Sequence, residues 1–171
     1  MSGEDGLSSM GAAGRSDGAQ GPEVEATEGP LMTMKRAHDE KLQMCKALEA
    51  IADALPDGVD RIECLRLANA LVPTLRNIHR YEEKVIFPAF QAARGDSTAR
   101  RNTIRRLCAE HIEDECFADE VTEILLGLGH GKPVENPEAV GFMLRGLFET
   151  MRRHIAFEAE HVFPAICAGC D

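Results

Sequence analysis

Apolar residues recur every three to four positions through four long segments of the chain, which is the period of an amphipathic α-helix. The segments cover approximately residues 31–55, 59–93, 97–127 and 137–166. Pro73 and Pro88 fall within the second segment, so a kink or an early helix end is expected there. The sequence shows no convincing strand, and two of the three connections are short. We therefore predict an all-α protein that folds as an antiparallel up-and-down four-helix bundle.

The first 30 residues differ from the rest of the chain, since they have few bulky apolar side chains and hold seven of the fifteen glycines. Such a segment cannot bury enough surface to offset the entropy lost on ordering. We predict a disordered acidic tail over residues 1–30, rich in Gly and Ser, followed by one bundle domain over residues 31–168.

Composition excludes some classes of partner. The formal net charge of −10 disfavours nucleic acid and anionic membrane surfaces. No apolar run approaches the roughly 18 residues of a membrane span, and no signal peptide is recognisable. The six cysteines are interpreted as reduced thiols, because most lie at wide spacing within helical patterns. We therefore expect a soluble, cytoplasmic protein.

Histidine and glutamate interrupt the apolar stripes where the helical period requires a core side chain. Each predicted helix has one such histidine: His38, His79, His111 and His154. In three helices a glutamate follows four residues later: Glu83, Glu115 and Glu158. Positions i and i+4 share a helix face, so each pair is expected to face the core. We expect the neighbouring Glu82, Glu160 and His161 to face solvent or to support the ligands from behind.

The same four histidines are expected to meet in one layer near the middle of the bundle. In an up-and-down bundle, residues equally distant from a connection lie at the same height, and His79 lies as far before Ala93 as His111 lies after Ser97. A single inward histidine is more simply explained as a core residue whose hydrogen bonds are satisfied. A single His/Glu pair is more simply explained as a solvent-exposed pair. Four histidines at one level favour a shared ligand.

A bound cation is the simplest compensation for so many buried carboxylates, each of which would cost several kcal/mol unpaired. No Lys or Arg is expected on these stripes at the same level. Seven nitrogen and oxygen ligands exceed the four of a tetrahedral zinc site and suit two iron or manganese ions bridged by carboxylates.

These residues resemble the hemerythrin-like HHE cation-binding family over about residues 31–166. The resemblance rests on His38, on HRYEE from His79 to Glu83, on HIEDE from His111 to Glu115, and on HIAFE from His154 to Glu158. The endings VIFPA and HVFPA are also similar to the family's, although the second copy has one more residue between His and Phe-Pro-Ala. The resemblance implies two iron ions with an oxo or hydroxo bridge. His38 and His79 would hold one, His111 and His154 the other, and Glu83 and Glu158 would bridge them.

The chain departs from the oxygen-carrying members of that family, which have HxxxH where this chain has Glu115. The resemblance therefore implies iron binding with sensing of, or reaction with, dioxygen, nitric oxide or peroxide, and it disfavours oxygen transport. Glu115 either ligates or leaves an open position. The alternatives are a weak peroxidase or oxidase, a non-catalytic iron-responsive regulator, and a plain helical interaction module.

Overall fold

The computed structural model describes residues 29–93 and 97–169, which form α-helices and π turns and contain no strand. The helices are α1 (Pro30–Asp53), α2 (Arg61–Tyr81), α3 (Phe87–Ala92), α4 (Thr98–Gly129), α5 (Pro137–Phe157) and α6 (Phe163–Cys167). The π turns Glu82–Ile86 and Glu158–Val162 join α2 to α3 and α5 to α6. The predicted four-helix, all-α bundle is thereby confirmed. The predicted tail, residues 1–30, lies almost entirely outside the described residues.

The helix ends follow from local side-chain chemistry. Asp60 caps α2 by accepting hydrogen bonds from the backbone N–H groups of Ile62 and Glu63, at 2.9 and 3.1 Å. Asn136 caps α5 in the same way, and Pro137 occupies the first position, where no N–H is needed. These caps fix where α2 and α5 begin and therefore which of their faces turns inward.

The prolines act differently from each other. Of the two outcomes expected at a proline, a kink or an early end, the early end does not occur at Pro73, because α2 continues through Pro73 to Tyr81. Just before Pro88 the α-helical pattern does change: the N–H of Phe87 bonds the carbonyl of Glu82, five residues earlier. Phe163 bonds Glu158 in the same way, just before Pro164. A proline ring collides with the carbonyl four residues before it, and the wider π turn relieves that collision.

The core consists of two apolar clusters separated by a polar layer. The larger cluster includes the fully buried Leu48, Leu67, Leu71, Leu125, Leu144 and Leu147. The smaller includes Met34, Ile86, Phe87, Leu107, Val162 and Phe163. On each long segment the histidine lies between residues of one cluster and residues of the other. α2 packs mainly on α4, and α1 on α5. None of the described helices is long and apolar enough to cross a membrane.

Candidate metal centre

The four histidines predicted to share a layer do so, and all four are at least 95% buried. The rings of His79 and His111 stack in parallel with centroids 4.0 Å apart, and His154 lies 5.0 Å from His111. His38 approaches from α1, with its Nε2 2.8 Å from Oε2 of Glu158. The expected convergence of α1, α2, α4 and α5 at mid-height is therefore confirmed.

The ligand-type atoms form a pair of triads that share one carboxylate. Among the described residues, His79, Glu82 and His111 bring one ligand atom each to within 4.8 Å of the others. His38, Glu82 and Glu158 do the same. All five side chains are buried, and Glu82 belongs to both triads. A carboxylate shared by adjacent triads has the connectivity of a bridging ligand.

His154 lies between the triads. Its Nε2 is 3.9 Å from Oε2 of Glu82 and 3.7 Å from Oε1 of Glu158. These distances are too long for direct hydrogen bonds but are short enough for both carboxylates and the imidazole to reach a common ion. His154 can therefore serve either position.

Several buried polar atoms of this layer lack hydrogen-bond partners within the described part of the chain. They include the lone-pair atoms Nε2 of His79, His111 and His154, both oxygens of Glu82, and Oε1 of Glu158, together with Nδ1 of His154 and Nζ of Lys41. Nε2 of His111 and Oε2 of Glu82 are only 2.8 Å apart, yet the pair is not aligned for a hydrogen bond. Buried polar groups are normally satisfied, so this convergence of unsatisfied lone-pair atoms fits a cation. Imidazole nitrogen and carboxylate oxygen suit iron, manganese and zinc.

The core carboxylate of the second segment is Glu82, so the expectation that Glu82 faces solvent or lies behind the ligands is wrong. Glu82 is fully buried, whereas the side chain of Glu83, which was expected to face the core, is 45% exposed. Leu71, Leu75 and Ile78 are buried residues of α2, spaced three or four positions apart. Glu82, the first residue of the π turn, continues that spacing and so also faces inward. Counting four residues forward from His79 placed the carboxylate one position too far.

The repeated ending of the two segments carries a signal for this placement. Glu82 and Glu158 each lie five residues before the Phe of Phe-Pro-Ala, and each opens a π turn. The extra residue in the second copy lies between His154 and Glu158, not between the Glu and the Phe. Aligned from Phe-Pro-Ala backward, Glu158 matches Glu82, and Glu83 matches Ala159.

The predicted ligands Glu83 and Glu115 lie on the outer side of the histidine rings. Oε1 of Glu83 is 2.9 Å from Nδ1 of His111, and Oε1 of Glu115 is 3.0 Å from Nδ1 of His79. Oε2 of Glu110 is 3.3 Å from Nδ1 of His154, but that nitrogen has no hydrogen-bond partner among the described residues. A carboxylate on one ring nitrogen holds the proton there and leaves the other nitrogen free for a metal. Glu83 and Glu115 thus orient Nε2 of their histidines toward the centre.

A buried lysine lies in the same layer, so the expectation that no Lys or Arg occurs there is wrong. Lys41 is fully buried, and its Nζ is 3.5 Å from Oε1 of Glu82. It follows His38 by three residues on α1, a spacing that puts both on one helix face. That spacing was visible in the sequence, but a lysine is so rarely buried that the position reads as solvent-facing.

Electrostatics keeps three of the candidate ligands, His79, Glu82 and Glu158, in the protonation states that a metal requires. His111 is the exception: burial opposes its protonation, but its contacts with Glu82 and Glu83 outweigh burial and raise its pKa. Burial and the nearby Lys41 ammonium hold the pKa of His79 well below its usual value, so its ring is neutral. Burial opposes ionisation of Glu82, but the charge of Lys41 and the contact with His111 together outweigh it and lower the pKa of that carboxyl. For Glu158, burial is outweighed by contacts with His154 and His38, and its pKa is lowered as well. Neutral imidazole and ionised carboxylate are the metal-binding forms.

A cavity of about 450 Å³ opens between α4 and α5 and reaches His154. Its lining is polar and charged, including Arg106, Glu110, Asp114 and Thr150. Two apolar rings also border the layer, with Phe87 stacked 5.5 Å from His111 and Phe163 stacked 5.0 Å from His38. The cavity offers small polar molecules an approach beside His154.

His161 and Glu160 lie outside the centre, as expected. Their side chains are 52% and 76% exposed, and the ring of His161 packs 4.7 Å from that of Phe157. His161 therefore contributes no nitrogen to the buried layer, although it lies only three residues after Glu158.

A helical bundle with a buried histidine and carboxylate layer defines a cation-binding protein of the four-helix class. The chain belongs to the hemerythrin family: the hemerythrin HHE cation binding domain profile matches residues 30–166. No curated protein and no solved structure matched the chain. The match spans α1 to α6 and includes every residue of both triads.

Proposed function

We propose that this protein is a non-heme di-iron protein that binds iron and senses or reacts with dioxygen, nitric oxide or peroxide. The observation that supports the proposal most directly is the pair of buried triads sharing Glu82. His79 and His111 would hold one ion, and His38 and Glu158 the other. Glu82 would bridge them, and His154 is within reach of both.

The donor set favours iron or manganese over zinc, and iron is the ion that the family resemblance implies. Two adjacent positions joined by a carboxylate, with mixed nitrogen and oxygen donors, suit iron or manganese better than a single tetrahedral zinc. Bound iron would supply the redox chemistry and the affinity for small oxygen or nitrogen species. The protein residues would set ring orientation through the outer carboxylates and exclude bulk water with Phe87 and Phe163.

The cavity beside His154 supports a small external ligand and also favours a second candidate, turnover of peroxide. Its polar lining of Arg106, Asp114 and Thr150 suits a small polar molecule better than an apolar one. A sensor and a weak peroxidase would use the same approach to the ions, and they differ only in whether the ligand is released unchanged.

Metal analysis of protein purified without chelator tests the proposal. We expect about two irons per chain, and we expect His79→Ala to lose most of them. His161→Ala is the matched control, because His161 is exposed and contacts neither triad. Zinc alone, or no metal, in the wild type would contradict the proposal.

Optical spectra of the iron-loaded protein then separate the candidates. Spectra recorded before and after addition of dioxygen, nitric oxide or peroxide should change in the wild type and not in His79→Ala. Catalytic loss of peroxide that disappears in His79→Ala would favour the peroxidase, whereas a stoichiometric change without turnover would favour the sensor.

A further inference from the structure

Lys41 is the one member of the polar layer to which the proposed function gives no role. Its side chain is fully buried, and its Nζ has no hydrogen-bond partner in the described residues. Its closest charged partner is Glu82, whose side chain is also fully buried. An ammonium removed from water is strongly destabilising unless an anion compensates for it. The contact with Glu82 is therefore needed by both residues in the metal-free chain.

The two oxygens of Glu82 face different partners. Oε2 lies 2.8 Å from Nε2 of His111 on α4, and Oε1 lies 3.5 Å from Nζ of Lys41 on α1. A bridging carboxylate uses one oxygen for each ion. The oxygen directed to the His79–Glu82–His111 triad is free of any ammonium, whereas the other oxygen already faces one.

Lys41 also lies on the helix that supplies the histidine of the second triad. It shares a face of α1 with His38, three residues earlier, and His38 contacts Glu158. Glu82 and Glu158 together bring two buried negative charges, and Lys41 brings one positive charge among them. Without any ion the layer is thus partly neutralised, and a cation at the His38–Glu82–Glu158 triad would be repelled by a neighbouring ammonium.

We propose that Lys41 is an internal counter-ion that competes with the cation at the His38–Glu82–Glu158 triad. The chain therefore binds its first ion at His79–Glu82–His111 more tightly than its second, and it stays folded when neither is bound. This inference rests on the proposed function, since it presupposes that both triads bind cations.

Stepwise metal binding tests the competition. Chelator-stripped protein is dialysed anaerobically against graded ferrous iron, and bound iron is counted by mass spectrometry. We expect two dissociation constants that differ at least about ten-fold in the wild type. Lys41→Met should strengthen the weaker step by about ten-fold or more while the stronger step changes little. Lys46→Met, an exposed change of the same charge on α1, should leave both steps unchanged.

Thermal melting of the metal-free proteins tests the counter-ion role. Lys41→Met should lower the melting temperature by about 10 °C, because Glu82 is left buried without its cation. Adding Glu82→Gln to Lys41→Met should recover most of the loss, since the unpaired charge is then removed. The recovery distinguishes charge pairing from a packing defect in Lys41→Met.

The outcomes separate the two proposals. Two equal sites in the wild type that Lys41→Met leaves unchanged would overturn the inference and leave the di-iron function standing. Failure of every variant to bind iron would overturn the proposed function and the competition together. An undiminished melting temperature in metal-free Lys41→Met would overturn the counter-ion role by itself.

Discussion

Replacing Glu82 by Gln removes the carboxylate that both triads share and leaves the Lys41 ammonium buried. The two charged atoms are 3.5 Å apart. At an effective dielectric constant of about 20 their attraction is about 5 kcal/mol, and breaking such buried pairs typically costs about 3–5 kcal/mol. In a domain of this size that loss lowers the melting temperature of the metal-free protein by about 10 °C. Iron binding should fall at both positions, because no anionic oxygen remains to bridge them.

Glu83→Gln is the matched control for this change. It is the same substitution at the next residue, but Glu83 is half-exposed and contacts only the outer nitrogen of His111. The amide oxygen can still accept from that nitrogen, so we expect less than about 1 kcal/mol of destabilisation. Circular dichroism melts and iron counts measure both effects. Equal behaviour of the two variants would show that Glu82 has no special place in the layer and would refute the reasoning.

Three further changes test other parts of the structure. Glu158→Gln should remove the negative charge of Glu158 from the His38–Glu82–Glu158 triad and reduce bound iron toward one per chain, as metal analysis would show. Burial raises the pKa of Asp114, so ionisation of this group disfavours folding and its contribution to stability falls as pH rises above 3.8. In urea melts, Asp114→Asn should therefore be more stable than the wild type at pH 7, and the difference should disappear below pH 3.8. Gly131→Ala should cost about 1 kcal/mol in urea melts without changing bound iron, because φ is +73° and the new Cβ would lie 2.8 Å from the Arg61 guanidinium.

The fold could be predicted from the sequence because it depends on a repeating pattern of apolar residues. Apolar residues at three- and four-residue spacing fixed the face of each helix, and equal distances from the connections fixed the height of His79 against His111. The helix boundaries agree within a few residues because Asp60, Asn136 and Pro137 carry recognisable capping chemistry.

The candidate ligands could be predicted only in part from the sequence. Periodicity shows which face of a helix turns inward, but it does not show which of two neighbouring residues on that face is the more deeply buried. Glu82 and Glu83 both lie near the inward side of the second segment, and a one-residue difference decides which one is buried. The alignment on Phe-Pro-Ala would have selected Glu82. Distinguishing ligands from the carboxylates behind the rings requires side-chain direction, which the sequence does not contain.

Glu115 changes one functional argument. The expectation against oxygen transport relied on Glu115 as an additional carboxylate ligand, but Glu115 lies on the outer nitrogen of His79 and pairs with Arg76 at 3.3 Å. The expectation against oxygen transport therefore loses the support of Glu115. Lys41 does not replace it, because a positive charge beside Glu82 disfavours the ferric state, whereas an extra carboxylate would favour it.

The π turns at Glu82 and Glu158 determine how these segments tolerate changes in length. A π turn contains one residue more than an α turn, so deleting one residue there restores ordinary helix without rotating the segment that follows. A deletion elsewhere in a helix rotates everything after it by about 100°. A deletion within a π turn would, however, return Pro88 or Pro164 to the carbonyl collision that the π turn relieves, so we expect the prolines to preserve the length of both turns and with it the position of Glu82 and Glu158.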